Sequence, residues 1–151
     1  MLNIGDNAPD FELISDEGQP VKLSDYRGQQ VVIFFYPKAA TPGCTTQACG
    51  FRDNFVKIEA ANTDVLGISP DPPHKLAKWR KKENLPYLLL SDPEHEVAEA
   101  YGVWGEKKMY GRAYMGIIRS HFVVDAEGKI ADVQFKVSPQ DSVKRAVKFV
   151  S

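Results

Sequence analysis

The chain has 151 residues and a formal net charge of −1, from 19 lysine and arginine and 20 aspartate and glutamate residues. The length predicts one domain over residues 1–151, and the near-neutral charge argues against nucleic acid or an anionic membrane as a partner. No apolar run is long enough to cross a bilayer, and the first residues lack the basic start and apolar stretch of a secretory signal. The two cysteines do not form the disulfide framework of a small secreted protein, so we expect a cytoplasmic protein whose cysteines are catalytic or metal-binding.

Strands and helices alternate in the first half of the chain. Apolar Phe11 and Leu13 precede the turn Asp16–Gly18, and Val21 and Leu23 follow it, which predicts a β-hairpin. The elements expected after the hairpin are a buried strand over Gln30–Tyr36, a helix from about Pro42 to about Ala60, a buried strand over Asp64–Ser69, a helix over Pro73–Asn84 and a short strand over Tyr87–Leu90.

The second half is less regular. The elements predicted there are a short helix over His95–Tyr101, an irregular excursion over Trp104–Gly116, two strands over Ile118–Val124 and Ile130–Phe135, and a closing helix over Asp141–Val150. The turn Asp125–Gly128 between the two strands indicates a second hairpin. The order predicts a mixed α/β fold, with parallel strands in the first half, an antiparallel pair at the end and helices covering the sheet.

The segment after the first buried strand carries both cysteines. Thr41 is a suitable N-cap and Pro42 fits the first helical position, so we expect Cys44 at the third position, among the unpaired N–H groups of the helix start. Negative charge is stabilised there, so the position should favour the thiolate of Cys44. A reactive cysteine with a second cysteine, Cys49, a little over one helical turn later predicts redox chemistry.

Helix geometry sharpens the argument about the two cysteines. On an intact helix the Cα atoms of Cys44 and Cys49 are roughly 8–9 Å apart. A disulfide tolerates a Cα separation of up to about 7 Å, so the pair can bond only after the first turn or two unwinds. Gly43 and Gly50, near the two ends of this segment, would give the backbone freedom to do so. The arrangement suits a nucleophile and a resolving thiol that acts later.

Two other interpretations of the cysteines stay open on the residues alone. Both could be small buried hydrophobic side chains, as free cysteines often are. They could also belong to a zinc site, but the remaining candidate ligands, His74, His95 and His121, are scattered without a metal-binding spacing. The predicted cap and the strand-to-helix context favour the redox interpretation.

The same segment resembles a known active-site motif. Pro37, Thr41 and Cys44 fit the pattern Pro-x-x-x-Thr/Ser-x-x-Cys of the peroxiredoxins, and the run from Cys44 to Cys49 is similar to the peroxiredoxin Q group, also called bacterioferritin comigratory proteins. Further similar segments extend over nearly the whole chain and are Gly5–Phe11, Phe34–Lys38, Val65–Ser69, Leu89–Asp92 and Tyr101–Lys107. Gln47 departs from the group, since many of its members carry glutamate there.

The resemblance implies a thioredoxin-like fold, with a central mixed sheet flanked by helices and an N-terminal hairpin extension. It also implies that Cys44 is the peroxidatic cysteine and Cys49 the resolving cysteine. Thr41 would donate a hydrogen bond from its hydroxyl to the bound peroxide and to the thiolate, Pro37 would shield the thiolate from water, and Arg119 would add a positive charge and a further donor from a later strand. A guanidinium in an apolar strand needs an anionic partner or an open site, and the alternative for Arg119 is an ion pair with a surface carboxylate.

For function, the resemblance implies an antioxidant, thiol-dependent peroxidase that reduces hydrogen peroxide and organic hydroperoxides. Cys44 would become a sulfenic acid and then form an intramolecular disulfide with Cys49, which thioredoxin or a similar dithiol would reduce. No metal, haem or flavin is implied, and the group is mostly monomeric. Two rivals are a redox sensor or holdase whose disulfide exposes apolar surface, and a thioredoxin-like oxidoreductase, which usually carries Cys-x-x-Cys.

Overall fold

The computed structural model describes residues 2–151. The strands are β1 (Glu12–Ser15), β2 (Pro20–Lys22), β3 (Gln30–Phe35), β4 (Thr63–Ser69), β5 (Leu88–Ser91), β6 (Trp104–Met109), β7 (Arg112–Ile117), β8 (Ser120–Val124) and β9 (Ile130–Gln134). The helices are α1 (Pro42–Asp53), α2 (Phe55–Ala60), α3 (Pro73–Glu83), α4 (Glu96–Ala100) and α5 (Pro139–Val150). None of the helices in this part of the chain has the length and apolar character needed to span a lipid bilayer.

Seven strands form one mixed sheet in the order β2-β1-β5-β4-β3-β8-β9. Strands β3, β4 and β5 are parallel to one another, whereas β8 pairs antiparallel with β3, and β9 pairs antiparallel with β8. The hairpin of β1 and β2 extends the sheet, because β1 pairs antiparallel with β5. The predicted mixed sheet is therefore confirmed, including its N-terminal hairpin and its antiparallel pair at the end.

The central strand β3 is buried on both faces, which explains its continuous apolar sequence. Val31, Ile33 and Phe35 pack in one layer of the core, with apolar residues of α4 and of the N-terminal hairpin. Val32 and Phe34 pack in the other layer, with apolar residues of α1, α2, α3 and α5. Both faces of the sheet are covered, and the loop from β3 to α1 lies at the edge formed by the carboxyl ends of the parallel strands.

The predicted helix over residues 42–60 is two helices, separated by Asn54. The Asn54 side chain donates to the carbonyl oxygen of Gly50 at 2.9 Å, and its backbone N–H is shared between the carbonyls of Gly50 and Phe51. An asparagine that bonds to the preceding backbone in this way favours a helix end over continuation. The expectation of one continuous helix is wrong, but both cysteines lie within α1.

The segment Trp104–Gly116, predicted to be irregular, belongs to a separate two-stranded sheet of β6 and β7. Its turn has Tyr110 at a φ of 52° and Gly111 at a φ of 77°, the positive values that a two-residue type I′ turn requires. Most side chains of the two strands are partly or fully exposed. The expectation is wrong because these strands lack the apolar–polar alternation that marks a half-buried strand.

Candidate active site

The loop between β3 and α1 is tied to the edge of the sheet. Asp71, which lies just beyond β4, accepts a hydrogen bond from the backbone N–H of Ala39 at 2.7 Å. Ala40 has a φ of 69°, so the chain passes through the left-handed region directly before the helix. The carboxyl ends of two parallel strands therefore hold the loop that presents the amino end of α1.

Thr41 is the N-cap residue of α1, as predicted, but its side chain does not cap the helix. Its hydroxyl instead donates to the carbonyl oxygen of Lys38 at 2.7 Å. Cys44 occupies the third helical position, as predicted, and its side chain is buried. No acceptor among residues 2–151 receives the backbone N–H of Gly43 or Cys44, so two donors at the helix start remain available beside the thiol.

Arg119 contacts the sulfur of Cys44. It lies in the two-residue connection between β7 and β8. The prediction that it lies within a strand is therefore wrong. Its Nη2 is 3.5 Å from Sγ of Cys44. Gly43 leaves room for this approach, because a Cβ at that position would lie 3.1 Å from the same nitrogen. No carboxylate in the described part of the chain forms an ion pair with Arg119, so the alternative of a surface ion pair does not hold.

The surroundings of the Cys44 sulfur carry positive charge. A guanidinium and the unpaired N–H groups of a helix start meet there, and both stabilise negative charge on the sulfur or on an oxygen bound next to it. The thiol is free and 1% exposed, and it lies among apolar core residues. The arrangement can therefore support a nucleophilic sulfur, together with oriented donors for a small polar substrate.

Gln47 connects Arg119 to helix α5. Its Oε1 accepts from Nη1 of Arg119 at 2.7 Å, and its Nε2 donates to Oγ of Ser142 at 2.9 Å. Oγ of Ser142 lies 2.7 Å from Nδ1 of His121. Sequence reasoning missed Ser142 and His121, because Ser142 is 95 positions from Gln47 and only the fold brings them together. The one signal in the sequence for these contacts was Gln47 itself, because many members of the peroxiredoxin Q group carry glutamate at that position.

A cavity of about 770 Å³ opens beside Arg119. Its lining residues are Glu106, Lys107, Lys108, Ile118, Arg119, Phe135, Lys136, Val137 and Ser138. Burial lowers the pKa of Lys107, and the positive charge of Arg119 lowers it further. Arg119 lines this cavity and also contacts the Cys44 sulfur, so its guanidinium could contact a molecule bound in the cavity.

Cys49 lies later on α1 in a different environment. It is half-buried and free, and its Sγ is 3.7 Å from Oε2 of Glu83 at the end of α3. Burial raises the pKa of the Cys49 thiol, and the Glu83 carboxylate raises it as well, while Arg52 acts in the opposite direction. These surroundings favour the protonated thiol of Cys49, which is placed to donate to the Glu83 carboxylate.

The structure brings together only some of the predicted site residues. Cys44 and Arg119 are in contact, whereas Cys49 shares the helix but faces Glu83. Thr41 and the half-buried Pro37 lie in the loop before α1, and no hydrogen bond described for Thr41 involves the Cys44 sulfur. Among residues 2–151, no group of three or more His, Cys, Asp and Glu side chains is placed to hold a metal ion.

Comparison with known proteins decides the family. The AhpC/TSA family profile matches residues 4–133. The peroxiredoxin Bcp of Bacillus subtilis is 48% identical over 147 residues, covering 97% of this chain and 94% of that protein. The peroxiredoxin Bcp of Escherichia coli K12 is 51% identical over 144 residues, covering 94% of this chain and 92% of that protein. The chain is a peroxiredoxin of the AhpC/TSA family.

A solved structure supports the same conclusion for the fold. The bacterioferritin comigratory protein of Xanthomonas campestris, solved as trapped intermediate and ligand complexes that concern its alkyl peroxide reduction activity, superposes with a TM-score of 0.90. It is 29% identical, and the match covers 99% of this chain and 96% of that one. The peroxiredoxin described here thus has the thioredoxin-like fold that the sequence resemblance implied. Its activity is that of a thiol-dependent peroxidase, as the same resemblance implied.

Proposed function

We propose that this peroxiredoxin reduces hydrogen peroxide and organic hydroperoxides, with Cys44 as the attacking residue and Cys49 as the resolving residue. The observation that carries the proposal is the 3.5 Å contact between Arg119 and the Cys44 sulfur, at a helix start with unpaired N–H groups. Such a site stabilises an anionic sulfur and the charge that develops on the peroxide oxygens. The alkyl peroxide reduction activity of the Xanthomonas campestris relative supports the inclusion of organic hydroperoxides.

The first step is a two-electron oxidation of Cys44. Its thiolate attacks one peroxide oxygen, so that an S–O bond forms and the O–O bond breaks. The other oxygen leaves with the bonding electron pair and takes up a proton, which gives water or an alcohol, while the sulfur becomes a sulfenic acid. Nη2 of Arg119 and the backbone N–H of Cys44 would donate to the peroxide oxygens, on which negative charge develops as the O–O bond breaks.

Thr41 and Pro37 take supporting roles in this proposal. The hydroxyl proton of Thr41 is donated to the carbonyl of Lys38, so its oxygen is left to accept a hydrogen bond from the bound peroxide. This differs from the expectation of a donor at Thr41. Pro37 has no N–H group and is half-buried after β3, which suits the proposed shielding of the thiolate from water.

The second step joins the two sulfurs. Cys49 attacks the sulfenic acid, an S–S bond forms, the S–O bond breaks and water leaves. Residues five apart on a helix have Cα atoms roughly 8–9 Å apart, and a disulfide needs less than about 7 Å. Helix α1 must therefore open, and Cys49 must leave Glu83, before the bond can form.

Gly50 has a packing role in addition to the backbone freedom that the sequence suggested for it. A Cβ at Gly50 would lie 2.6 Å from Cγ2 of Val143, so the glycine permits close packing of α1 against α5. Opening of α1 around Cys49 would also separate this contact. The proposed conformational change therefore has to overcome packing between two helices as well as helical hydrogen bonds.

A dithiol would complete the cycle. Thioredoxin or a similar reductant would attack the Cys44–Cys49 disulfide and leave both thiols reduced. The two cysteines lie five positions apart on the same helix, and no third, distant cysteine is present in the sequence, which supports a disulfide within one chain and a monomeric enzyme acting as one domain. A catalytic pair of thiols that must be reduced after each turnover also supports a location in the reducing cytoplasm.

A peroxide consumption assay tests the proposal. The reduced protein is supplied with thioredoxin, thioredoxin reductase and NADPH, and hydrogen peroxide or an alkyl hydroperoxide is added. We expect NADPH oxidation with both peroxides and its loss when Cys44 is replaced. A redox sensor or holdase would consume about one equivalent of peroxide without turnover, and a disulfide oxidoreductase would exchange disulfides without consuming peroxide. Either result would contradict the proposed function.

A further inference from the structure

A chain of buried hydrogen bonds leads from Arg119 into the interior. It runs from Nη1 of Arg119 to the amide of Gln47, on to the hydroxyl of Ser142 and then to Nδ1 of His121, with distances of 2.7, 2.9 and 2.7 Å. Gln47, Ser142 and His121 are all fully buried. Each therefore has to find its hydrogen-bond partners within the protein.

The chemistry of Arg119 fixes the direction of every bond in this chain. A guanidinium has donors only, so the atom of Gln47 that faces it must be the amide oxygen. The amide NH₂ group then faces Ser142, whose oxygen accepts from it. No other acceptor among residues 2–151 lies within hydrogen-bond distance of the Ser142 hydroxyl proton, so this proton is left for Nδ1 of His121, which accepts it. His121 is thus a neutral ring with its proton on Nε2.

The opposite arrangement would disturb Arg119. If Nδ1 of His121 carried a proton, it would donate to Ser142, and the buried hydroxyl proton of Ser142 could find an acceptor only at Gln47. The amide of Gln47 would have to rotate to accept it, and its NH₂ group would then face the guanidinium, donor against donor. Burial lowers the pKa of His121 to about 4, which keeps the ring neutral at ordinary pH.

We propose that Ser142 and His121 are positioning residues, which fix the orientation of the Gln47 amide so that its oxygen holds Arg119 against the Cys44 sulfur. This arrangement lowers the stability of the folded state, because the buried Nε2 of His121 has no hydrogen-bond partner among residues 2–151. The inference rests on the proposed function in one respect, namely that Arg119 assists the reaction of Cys44.

Kinetics of the first step provide one test. In single turnovers, Ser142→Ala should lower the second-order rate constant of Cys44 oxidation by about tenfold, the effect of losing one buried hydrogen bond that orients a reacting group. The rate of the later disulfide step should stay the same. Val143→Ala is the matched control, because it shortens the next side chain of α5, which packs against α1 outside the hydrogen-bonded chain. It should leave the first step within about twofold of wild type.

The Gln47→Glu variant, used as a second background for Ser142→Ala, distinguishes a positioning role of Ser142 from a packing role. In Gln47→Glu, the carboxylate presents oxygen atoms to both neighbours, so Arg119 no longer depends on the orientation of an amide. Ser142→Ala should then lower the rate of Cys44 oxidation by less than about twofold. An equal loss in both backgrounds would mean that Ser142 acts only by packing, and it would overturn the proposal.

The tautomer of His121 gives a readout that does not depend on activity. Long-range ¹H–¹⁵N spectra of the reduced wild-type protein should show Nδ1 unprotonated and Nε2 protonated, with His74 and His95 identified by single replacements. In Gln47→Glu the proton should move to Nδ1, because Ser142 then donates to the carboxylate. A protonated Nδ1 in the wild type would overturn the inference even if the enzyme reduces peroxide. Loss of peroxide reduction with the expected tautomer would contradict only the proposed function.

Discussion

The two cysteines lie on one helix in opposite electrostatic surroundings. Cys44 lies in the first turn, 3.5 Å from a guanidinium and beside unpaired N–H groups. Cys49 lies further along the helix, 3.7 Å from the carboxylate of Glu83, which together with burial raises its pKa. Identical side chains are thus given different surroundings by their helix positions and by the charged side chain that each sulfur contacts. The predictions below test this difference, from the largest expected effect to the smallest.

Replacement of Cys44 should have the largest effect. Cys44→Ser should abolish peroxide turnover, because the hydroxyl is neither ionised at neutral pH nor able to form a sulfenic acid. Cys49→Ser should still reduce about one equivalent of peroxide per chain and then stop as a sulfenic acid that is open to over-oxidation. Rapid first-turnover kinetics and mass spectrometry would measure both. Turnover with thioredoxin by the Cys44→Ser protein would refute the division of roles.

Replacement of Arg119 should slow the first step strongly. Arg119→Lys removes the planar donor that reaches both the sulfur and Gln47, and loss of one oriented donor in a reaction of this kind costs about a hundredfold. Stopped-flow measurement of Cys44 oxidation would give the rate constant. Arg112→Lys, the same change on the exposed strand β7, is the control and should have no effect. Equal rates for the two variants would show that the guanidinium does not serve the reaction.

Oxidation should open the helix between the two cysteines. Amide hydrogen exchange around Thr45–Phe51 should be at least about tenfold faster in the disulfide form, because several helical hydrogen bonds of about 1 kcal/mol each are lost. The amides of Val31–Phe35 in the central strand should stay protected in both forms and serve as the internal control. Unchanged exchange around Cys49, with the disulfide confirmed by mass spectrometry, would contradict the required opening.

The smallest effect is expected from the neighbour of Cys49. Glu83→Gln removes a carboxylate that raises the pKa of the Cys49 thiol, so more thiolate is present at a given pH. The rate of disulfide formation near pH 7 should rise about two- to threefold, as for loss of one partly exposed charge interaction. Its increase with pH should also begin at a lower pH than in the wild type. Glu94→Gln, an exposed site in the loop before α4, should leave this profile unchanged.

Local patterns were sufficient to predict most of the fold. The buried strand after residue 30, the helix start at Pro42 and the hairpin around Asp125–Gly128 each have a local signal, and each lies where predicted. The hairpin of β6 and β7 could not be predicted in this way, because both of its faces are largely exposed and carry no alternation. The end of α1 was missed because it depends on a side-chain hydrogen bond of Asn54 rather than on the apolar period.

The sequence analysis named both residues of the Cys44–Arg119 contact, but it predicted little of the surrounding hydrogen bonds. The helix-start argument located Cys44, and the family resemblance located Arg119, although Arg119 lies just before β8 and not within a strand. The bond from Thr41 to Lys38 and the chain through Ser142 and His121 were not predictable. These depend on which rotamer the packed protein selects and on contacts between residues far apart in the sequence.

The placement of both cysteines on α1 has a consequence for timing. A sulfenic acid that is resolved within its own helix would decay in a first-order process, with a half-life that does not change when the protein is diluted. That half-life would be set by how often one helix opens against its packing on α5. The sequence of α1 would then set the lifetime of the sulfenic acid, and with it the time during which a second molecule of peroxide can over-oxidise Cys44.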